Sequence, residues 1–317
     1  MKAFTKYKYG GPEILNMEDI KKPILQEKQI LVQVMANSAN PADWHTLRGK
    51  PYFARFAFGL FKPKDKILGA DFAGLVVEIG PNVSEFKPGD RVFGELIDGG
   101  AFAEYVCAPV NVCARIPDSK DFREMAGLPI AGLTALQALT THGKLEKGES
   151  VLINGASGGV GHLTVQIAKA YGAQVTGICS HKNIEFVQSL GADQVIPYDR
   201  QDIHKQNTQY DLVIDTHGNL TFDDFKRMGK RGILIGFTTL KHLARLLLQS
   251  SLSSFSLKQF TAKARTRDLD SLANLIKEDK IKVNIEKIYP YQKIPEAIGY
   301  IEKMRTKGKV VMVWKDL

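Results

Sequence analysis

Residues 151–161 read VLINGASGGVG, and this stretch decides the fold. The apolar run Ser150–Ile153 is typical of a short buried strand, and Val160–Tyr171 has the apolar periodicity of a helix. Small residues occupy the three small positions of a G-x-G-x-x-G fingerprint in the turn between them: Ala156, Gly158 and Gly161. Strand, turn and helix together predict a loop that binds the diphosphate of a dinucleotide. Small residues let phosphate approach the backbone, and the helix N-terminus attracts it.

The end of the next predicted strand indicates which dinucleotide is bound. An NAD site places Asp or Glu there to accept from the ribose hydroxyls. Residues 177–183 read GICSHKN, and no carboxylate follows until Glu185. Ser180 and Lys182 instead suit a 2′-phosphate, as a hydroxyl donor and a cation, although a lysine at a helix start is also often only a solvated residue. The sequence therefore predicts NADPH.

From about Glu124 onward, strand-like and helix-like stretches alternate. The strand-like ones are Ala173–Ile178, Val195–Ile196, Asp211–Ile214 and Gly232–Ile235. Helical periodicity marks Met125–Leu139 and Asn183–Leu190. The apolar stretch Leu243–Leu248 is expected to pack in the core, and a position at the cleft or at a subunit interface stays open as an alternative. Such alternation indicates βαβ units and a parallel sheet, which is the doubly wound α/β class of the Rossmann folds.

The first 120 residues have β character instead. Short apolar or alternating runs are separated by Gly/Pro turns: Ile30–Val34, Phe72–Ile79, Arg91–Phe93 and Ala103–Val106. The tail returns to this character with Val283–Tyr289, a helix at Pro295–Met304, and Lys309–Trp314. We expect residues 1–123 and 265–317 to form one domain and residues 124–264 the cofactor domain, with a ligand cleft at their junction.

The composition is that of an ordinary soluble globular protein. Of 317 residues, 44% are hydrophobic and 24% are charged. No run of about 18 apolar residues predicts a membrane span, and Met1–Leu15 has no apolar region typical of a signal peptide. Cys107, Cys113 and Cys179 are too few and too irregular for a disulfide framework or a metal cage. The cytoplasm fits these features best.

The formal charge of +9, with a pI near 9.2, has two interpretations. A solvated basic surface would attract an anionic cofactor. A nucleic-acid partner would be attracted in the same way, but no basic stretch is dense or interleaved with aromatic residues as such a surface requires. The sequence thus disfavours nucleic-acid binding, which stays open as an alternative.

Several short segments carry a family resemblance. In chain order they are Asn40–Trp44 (NPADW), Leu68–Gly74 (LGADFAG), Lys87–Val92 (KPGDRV), Gly100–Tyr105 (GAFAEY), Ala131–Ala135 (AGLTA) and the loop at 155–161. Together they resemble the medium-chain dehydrogenase/reductase superfamily over essentially the whole chain. Within it, the chain most resembles the zinc-independent, zeta-crystallin-like quinone oxidoreductases. The resemblance implies a β-rich GroES-like catalytic domain beside a Rossmann domain, and a homodimer.

The resemblance also implies that no metal is bound. Zinc-dependent relatives place Cys, His and Cys at three positions that here are Asn40, Ala70 and Ile130. These side chains supply neither a thiolate nor an imidazole for a zinc cage. The chain from Arg91 to Phe102 has no cysteine, so the four-cysteine structural lobe of such relatives is absent as well.

Without a Lewis acid, reduction of a conjugated acceptor is easier than oxidation of an alcohol. Nothing would lower the pKa of the alcohol. Hydride addition to a quinone ring, or to the β-carbon of an enone, moves charge to a distant oxygen that needs only hydrogen-bond donors. We therefore expect NADPH-dependent hydride transfer to a quinone or an α,β-unsaturated carbonyl compound.

The resemblance gives four candidates for the catalytic site: Asn40, His45, Tyr52 and Thr134. Asn40 would donate a hydrogen bond to the substrate oxygen. His45 or Tyr52 would supply a proton unless solvent does so, and Thr134 would lie near the nicotinamide. Plainer roles stay open, namely an exposed loop residue for His45, a packing aromatic for Tyr52 and an ordinary helix residue for Thr134. Asp43 is expected to be a structural acceptor.

The predicted cofactor site comprises the turn and the ends of later strands. Its residues are Gly155, Ala156, Ser157, Gly158, Gly159, Val160, Ser180, Lys182, Tyr198, Thr216, Phe237 and Thr238. The resemblance assigns Tyr198 to the 2′-phosphate and Thr216 to the ribose and nicotinamide. It assigns Phe237 and Thr238 to the carboxamide through their backbone. His217 departs from the small apolar residue that is usual there.

Two other functions stay open. The same fold and cofactor would also serve the reduction of simple aldehydes or ketones, and acceptor specificity is expected in the loops 49–66 and 240–260. The second alternative is a zeta-crystallin-like RNA-binding or structural protein, which the positive charge favours and the intact phosphate loop disfavours. RNA binding that depends on salt and is abolished by NADPH would identify the latter function.

Overall fold

The structure, a computed structural model, describes residues 1–236 and 239–315. The chain forms two compact units. The first unit comprises Met1–Ile130, Ala264–Lys277 and Val283–Leu317, and the second comprises Ala131–Lys263 and Glu278–Lys282. Phe237 and Thr238 of the predicted cofactor site lie outside the described residues.

Strands and helices are numbered here in chain order. The strands are β1 (Lys2–Thr5), β2 (Asn16–Asp19), β3 (Gln29–Ala39), β4 (Asp71–Ile79), β5 (Arg91–Glu95), β6 (Tyr105–Pro109), β7 (Cys113–Arg115), β8 (Ser150–Asn154), β9 (Gln174–Cys179), β10 (Gln194–Pro197), β11 (Tyr210–Asp215), β12 (Gly229–Leu234), β13 (Ser256–Gln259), β14 (Ile285–Pro290) and β15 (Lys309–Val313). The helices are α1 (Pro41–Arg48), α2 (Arg55–Phe58), α3 (Phe122–Ala126), α4 (Pro129–Gln137), α5 (Gly161–Ala170), α6 (Ile184–Ser189), α7 (Phe222–Met228), α8 (Leu240–Ser251), α9 (Thr266–Lys277) and α10 (Ile294–Ile301).

The second unit contains a parallel sheet in the order β10-β9-β8-β11-β12-β13. The central strand β8 is buried from Val151 to Asn154, as expected for a strand that is covered on both faces. The order reverses between β8 and β11, and the carboxyl ends of these strands flank the crevice in which doubly wound folds bind ligands. The predicted Rossmann-type fold is confirmed.

The first unit is built on a seven-stranded sheet with the path β14-β15-β3-β4-β5-β7, to which β6 adds by pairing with β3. β15 lies between β14 and β3, so the C-terminal tail completes the N-terminal sheet. Large apolar side chains from both ends of the sequence fill one core, among them Phe72, Phe102 and Met312. The predicted β-rich GroES-like domain is confirmed as part of the fold.

The predicted helix Met125–Leu139 is two helices in the structure. α3 ends at Ala126, and α4 begins only at Pro129. Proline has no amide hydrogen to donate, and its ring disfavours the helical conformation of the residue before it. A π-helical turn, Ala138–His142, follows α4. The apolar periodicity predicts helix on both sides of the break, but it does not indicate the break itself.

The expectation that Leu243–Leu248 packs in the core is wrong for most of the stretch. In α8, Leu246 is buried at 1% exposure, whereas Leu247 is 43% and Leu248 62% exposed. A helix on a sheet buries only one stripe of its surface, so consecutive leucines point in different directions. The strand expected at Ala103–Val106 begins at Tyr105, and β13 was not predicted. No helix of the described residues has the length and apolar character of a membrane span.

Candidate functional site

The predicted phosphate turn joins the end of β8 to the start of α5. Gly155 has a φ of +80°, a left-handed conformation that glycine adopts without strain. A Cβ at position 161 would lie 2.1 Å from the carbonyl oxygen of Gly155, so only glycine lets α5 begin this close to the strand. At Gly158, the same oxygen, at 3.3 Å, is the one described atom that a Cβ would meet within 4 Å. The turn is therefore a cradle with open space in front of Gly158.

Backbone hydrogen bonds fix this turn. The amides of Gly155 and Ala156 both donate to the carbonyl oxygen of Ile178 in β9, at 3.1 and 2.9 Å. The amide of Gly158 donates back to Gly155 at 3.0 Å. α5 starts directly after the turn, so its dipole adds positive potential there. A dinucleotide diphosphate matches both the open space and this potential, and the residues present thus fit the cofactor that the sequence predicts.

The three residues predicted for the 2′-phosphate lie at adjacent strand ends. β9 and β10 pair in parallel with Cys179 opposite Pro197, and the amide of Tyr198 donates to the carbonyl oxygen of Cys179 at 3.0 Å. Ser180 follows β9 and is nearly buried, whereas Lys182 is exposed and Tyr198 is 56% exposed. The structure thus brings a hydroxyl, an ammonium and a phenol to one edge of the second unit.

Two residues at this edge were not predicted from the sequence. The side-chain amide of Asn183 donates to Ser157 Oγ at 3.0 Å, which ties the edge to the phosphate turn. Asp199 accepts from the amide of His181 at 2.8 Å, so a carboxylate lies beside the predicted 2′-phosphate residues. Asp199 directly follows Tyr198 in the sequence, but the sequence alone does not show whether a carboxylate at this position binds a backbone amide or is solvated.

The end of β11 lies against the phosphate turn. Thr216 Oγ1 donates to the carbonyl oxygen of Asn154 at 2.8 Å, so its hydrogen is bound within the protein. The buried carboxylate of Asp215 accepts from the side chain of Asn154 at 2.8 Å and from three backbone amides, those of His217, Gly218 and Leu220. The sequence signal for Asp215 is a carboxylate at the end of the strand YDLVID, directly after the apolar run LVI. The side chain of His217 is exposed.

In the first unit, Asn40 lies at the start of α1 and is 1% exposed. Its backbone amide donates to Asp43 Oδ2 at 2.7 Å. Its side-chain Nδ2 donates to Asp71 Oδ2 at 2.8 Å and, more weakly, to the carbonyl oxygen of Ser38 at 3.4 Å. Both of these side-chain contacts of Asn40 are therefore to protein acceptors.

Lys309 brings a positive charge to the same cluster. Its ammonium donates to Asn40 Oδ1 at 2.5 Å and lies 3.5 Å from Asp71 Oδ2. Asp71 also accepts from Ser38 Oγ at 2.7 Å and from the backbone amide of Ile130 at 2.9 Å. Burial lowers the pKa of Lys309, and the neighbouring charge of Asp71 opposes that shift. Lys309 was not predicted from the sequence, because a lysine that begins a strand is normally solvated.

Two further carboxyl groups belong to this cluster. Burial raises the pKa of Asp43 to about 7, against the stabilising hydrogen bond from the Asn40 amide. Burial and the charge of Asp71 raise the pKa of Glu95, at the end of β5, to about 8. Among the described atoms Glu95 Oε2 has no hydrogen-bond partner, so no donor stabilises an ionised carboxylate at that oxygen. Glu95 was not among the residues predicted for the site.

His45 and Tyr52 follow Asn40 in the first unit. The His45 ring stacks on Trp44 with centroids 3.6 Å apart, and its Nδ1 lies 3.0 Å from the carbonyl oxygen of Lys50. Because a carbonyl only accepts, Nδ1 carries the hydrogen and Nε2 of the neutral ring is an acceptor. Burial lowers the pKa of His45, which favours that neutral form. Tyr52 is 65% exposed, and Arg55 lies over its ring at 5.0 Å.

Thr134, the fourth candidate for catalysis, is buried in α4 and belongs to the second unit. The catalytic role predicted for these four residues stays a prediction. What the structure brings together is the phosphate turn with Ser180, Tyr198 and Thr216 in the second unit, and Asn40 with Lys309 and three carboxyl groups in the first.

The residues of the first unit do not fit a catalytic zinc ion. At the three positions where the resemblance places zinc ligands stand an amide, a methyl and a butyl side chain. The amide oxygen of Asn40 already accepts from the Lys309 ammonium, a cation that would repel a second one. Within residues 1–236 and 239–315, no group of three His, Cys, Asp or Glu side chains is arranged to hold a metal ion.

Comparisons with known proteins cover almost the entire chain. Residues 26–118 match the alcohol dehydrogenase GroES-like domain, and residues 190–312 match a family described as zinc-binding dehydrogenase. The second match includes none of the positions 40, 70 and 130. The chain is 32% identical to the chloroplast envelope quinone oxidoreductase homolog of Arabidopsis thaliana, over 98% of both chains.

Two further relatives give the same assignment. The NADPH-dependent alkenal/one oxidoreductase of A. thaliana, a chloroplastic protein, is 32% identical over 98% of this chain and 79% of its own length. The solved quinone oxidoreductase of Coxiella burnetii is 31% identical and covers 99% of both chains with a TM-score of 0.89. The chain therefore belongs to the medium-chain dehydrogenase/reductase superfamily, within its group of quinone oxidoreductases and alkenal reductases.

Proposed function

We propose that this protein is an NADPH-dependent oxidoreductase that transfers a hydride, without a metal ion, to a quinone or an α,β-unsaturated carbonyl compound. The observation that carries the proposal is the phosphate turn, in which Gly155, Gly158 and Gly161 leave a cradle open at the start of α5. The printed names of two relatives, a quinone oxidoreductase homolog and an alkenal/one oxidoreductase, support the acceptor class.

The second unit supplies the residues that would hold NADPH. The turn from Gly155 to Val160 would bind the diphosphate through backbone amides. Ser180, Lys182 and Tyr198 would surround the 2′-phosphate, and Thr216 would border the ribose and nicotinamide. Phe237 and Thr238 keep their predicted role at the carboxamide. In this proposal residues 124–264 are the cofactor domain, and residues 1–123 with 265–317 are the catalytic domain.

Bound NADPH would supply the hydride, and the protein would orient the acceptor and stabilise the charge that develops on its oxygen. Asn40 has its side-chain hydrogens bound to Asp71 and Ser38, so we assign it to ordering the site rather than to contacting the acceptor. Neutral His45 would present an acceptor at Nε2, so we do not assign the proton to it at neutral pH. The proton would then come from the hydroxyl of Tyr52, an exposed residue, or from solvent.

The proposal also covers the location of the protein in the cell and its oligomeric state. Three free cysteines suit the reducing cytoplasm, although relatives include chloroplastic and mitochondrial proteins. We propose a homodimer, which light scattering coupled to size-exclusion chromatography measures directly. A monomer at micromolar concentration would contradict this part of the proposal and leave the proposed reaction untouched.

A cofactor and acceptor screen tests the reaction. NADPH and NADH are each supplied with quinones, 2-alkenals, enones and saturated aldehydes, and oxidation of the cofactor is followed by absorbance. We expect turnover with NADPH and the conjugated acceptors. Turnover with saturated aldehydes alone, or a preference for NADH, would contradict the proposal. A chain that turns over no acceptor but binds RNA in a salt-dependent way would instead favour the RNA-binding alternative.

A further inference from the structure

The ammonium group of Lys309 is buried where no solvent compensates its charge. Lys309 begins β15, its side chain is 3% exposed, and its backbone amide donates to Asn284 at 2.8 Å. Removing an ammonium ion from water costs several kcal/mol unless a counter-charge and hydrogen bonds replace the solvent. The charge of Lys309 therefore depends on the carboxylate and amide groups that surround it in place of water.

Lys309 and its partners contact the three chain segments in which the resemblance places the metal ligands of zinc-dependent relatives. Lys309 Nζ contacts Asn40 Oδ1 and Asp71 Oδ2, at 2.5 and 3.5 Å. Asp71 accepts from Asn40 Nδ2 and from the amide of Ile130, at 2.8 and 2.9 Å. Asp71 also directly follows Ala70 in the sequence. The pair of Lys309 and Asp71 thus connects the three chain segments that would each supply a ligand in a zinc-dependent relative.

We propose that Lys309 is the resident cation of this site and acts as a positioning residue for acceptor reduction. Its ammonium orders Asn40 and Asp71 as a metal ion would order its ligands. Asn40 is the residue from which α1 starts, and α1 leads to His45 and the Tyr52 loop. The expected effect on kcat rests on the proposed function. The assignment of a lysine, and not a metal ion, as the cation of this site does not depend on that function.

Charge balance supports this assignment. Asp43 and Glu95 face the cluster from α1 and β5, and Asp71 faces it from β4. The pKa values of Asp43 and Glu95 are raised by burial to about 7 and about 8, so both carboxyl groups are largely or partly protonated at neutral pH. The charge of Lys309 is then matched mainly by Asp71, and a divalent metal would add positive charge for which the cluster has little more than the partly ionised Asp43. Lys6, which is also buried in this unit, donates to the carbonyl oxygen of Thr46 in α1 and lies near the charge of Asp43.

The test is the variant Lys309→Met, which keeps the length of the side chain and removes its charge. With the acceptor that wild type uses best, we expect kcat to fall at least tenfold, which corresponds to about 1.4 kcal/mol. The Kd for NADPH, measured by fluorescence titration, should stay within twofold, because the phosphate turn belongs to the second unit. Unchanged kcat would overturn the proposal. An equal loss of NADPH affinity would overturn it too, because the effect would then be a general loss of structure.

Lys6→Met is the matched control. Lys6 is 1% exposed, so this variant also removes a buried ammonium of the first unit, and we expect a lower unfolding midpoint with kcat within twofold of wild type. If Lys6→Met reduces kcat as much as Lys309→Met does, any buried charge has that effect and the specific role of Lys309 is refuted.

A second variant covers the case in which Lys309→Met does not fold. Lys309→Met combined with Asp71→Asn removes both charges of the pair, so neither is left buried without its partner. We expect the double variant to fold and bind NADPH but to stay at least tenfold slower than wild type. Wild-type activity in the double variant would show that no cation is needed, and would overturn the proposal.

The metal content of the wild-type protein separates this inference from the proposed function. We expect no stoichiometric zinc after purification with zinc present, and full activity in chelator. About one zinc per chain, bound so that mutation of Asn40 or Asp71 releases it, would overturn the inference whatever the reaction is.

If wild type instead reduces no acceptor, the proposed function fails while the Lys309 assignment stays testable. It is then decided by the zinc content together with the unfolding free energies of Lys309→Met, Asp71→Asn and the double variant. We expect the two substitutions to be coupled, because each alone leaves a buried charge without its partner. Additive effects of the two substitutions on the unfolding free energy would overturn the assignment.

Discussion

The carbonyl oxygen of Gly155 lies 2.1 Å from the point where a Cβ of residue 161 would stand, and the Cα of Ala156 lies 2.9 Å from that point. Both neighbours are backbone, so neither is able to move aside as a flexible side chain would. Gly161→Ala should therefore shift the start of α5 and lower the free energy of unfolding by about 1–3 kcal/mol. Urea denaturation followed by circular dichroism measures this loss.

The control for this prediction is Gly299→Ala in α10. A Cβ there would meet Pro12 Cγ at 3.7 Å, an ordinary contact, and alanine has the higher helix propensity. The control should be at least as stable as wild type. Equal midpoints for Gly161→Ala and wild type would show that α5 does not approach the turn as closely as the structure has it.

Gly158→Val should block cofactor binding while the chain still folds. A Cβ at this position meets the Gly155 carbonyl oxygen at 3.3 Å and otherwise faces open space, so the branched side chain would occupy the place proposed for the diphosphate. We expect the Kd for NADPH to rise at least a hundredfold with an unchanged circular dichroism spectrum. A folded variant that binds NADPH with the affinity of wild type would show that the turn does not hold the cofactor.

Cofactor choice is expected to depend on Lys182 and Ser180. Lys182→Ala should weaken NADPH binding about tenfold, because a hydrogen bond to a charged group is worth about 1.5–3 kcal/mol and exposure reduces that value. NADH has no 2′-phosphate and should bind as before. Ser180→Asp should go further by repelling NADPH and offering an acceptor to the ribose hydroxyls. The measurement is kcat/KM for both cofactors at one low salt concentration.

Lys205→Ala is the control for Lys182→Ala, because Lys205 is an exposed lysine of the same unit, 84% exposed at its side chain. It should leave both cofactors unaffected, apart from the general loss of one positive charge. If Lys182→Ala weakens NADPH and NADH equally, or if wild type prefers NADH, Ser180 and Lys182 do not bind the 2′-phosphate.

Glu95 should make the stability of the protein depend on pH. Burial raises the pKa of Glu95 from 4.5 to about 8 in the native state, so the native state keeps a proton that the unfolded chain releases. Stability from this group is therefore lost as pH rises between about 4.5 and 8. Glu95→Gln removes the effect and should be more stable than wild type at pH 9, by up to about 5 kcal/mol, with little difference at pH 4.5. A Glu95→Gln variant that is less stable than wild type at pH 9 would mean that the Glu95 carboxylate is stabilised in the native state.

Much of the fold follows from local patterns in the sequence. Apolar runs and glycine turns located β8, β9 and β11, and the small residues at 156, 158 and 161 located the phosphate turn. The break before Pro129 and the exposed side of α8 were not predicted. Periodicity reports which residues are apolar, but neither where a helix is interrupted nor which stripe meets the sheet.

The candidate site was predictable only in part, for a physical reason. Ser180, Lys182 and Tyr198 could be proposed because strand ends of a parallel sheet lie along one edge. Lys309 could not, because it reaches Asn40 through the pairing of β15 with β3, which are far apart in sequence. Glu95 could not either, because it is the pairing of β4 with β5 that places it opposite Asp71. A buried charge and a solvated one look alike in sequence, and only the tertiary contacts distinguish them.

The most direct test of the proposed reaction is to locate the transferred hydride. NADPH deuterated at the reactive position of the nicotinamide is supplied with a 2-alkenal, and with the saturated aldehyde of equal length as the comparison. The product is then examined by NMR. We expect a saturated aldehyde that carries deuterium at its β-carbon, and no reaction of the saturated aldehyde itself. An allylic alcohol with deuterium at C1, or equal rates for the two aldehydes, would contradict hydride transfer to a conjugated acceptor.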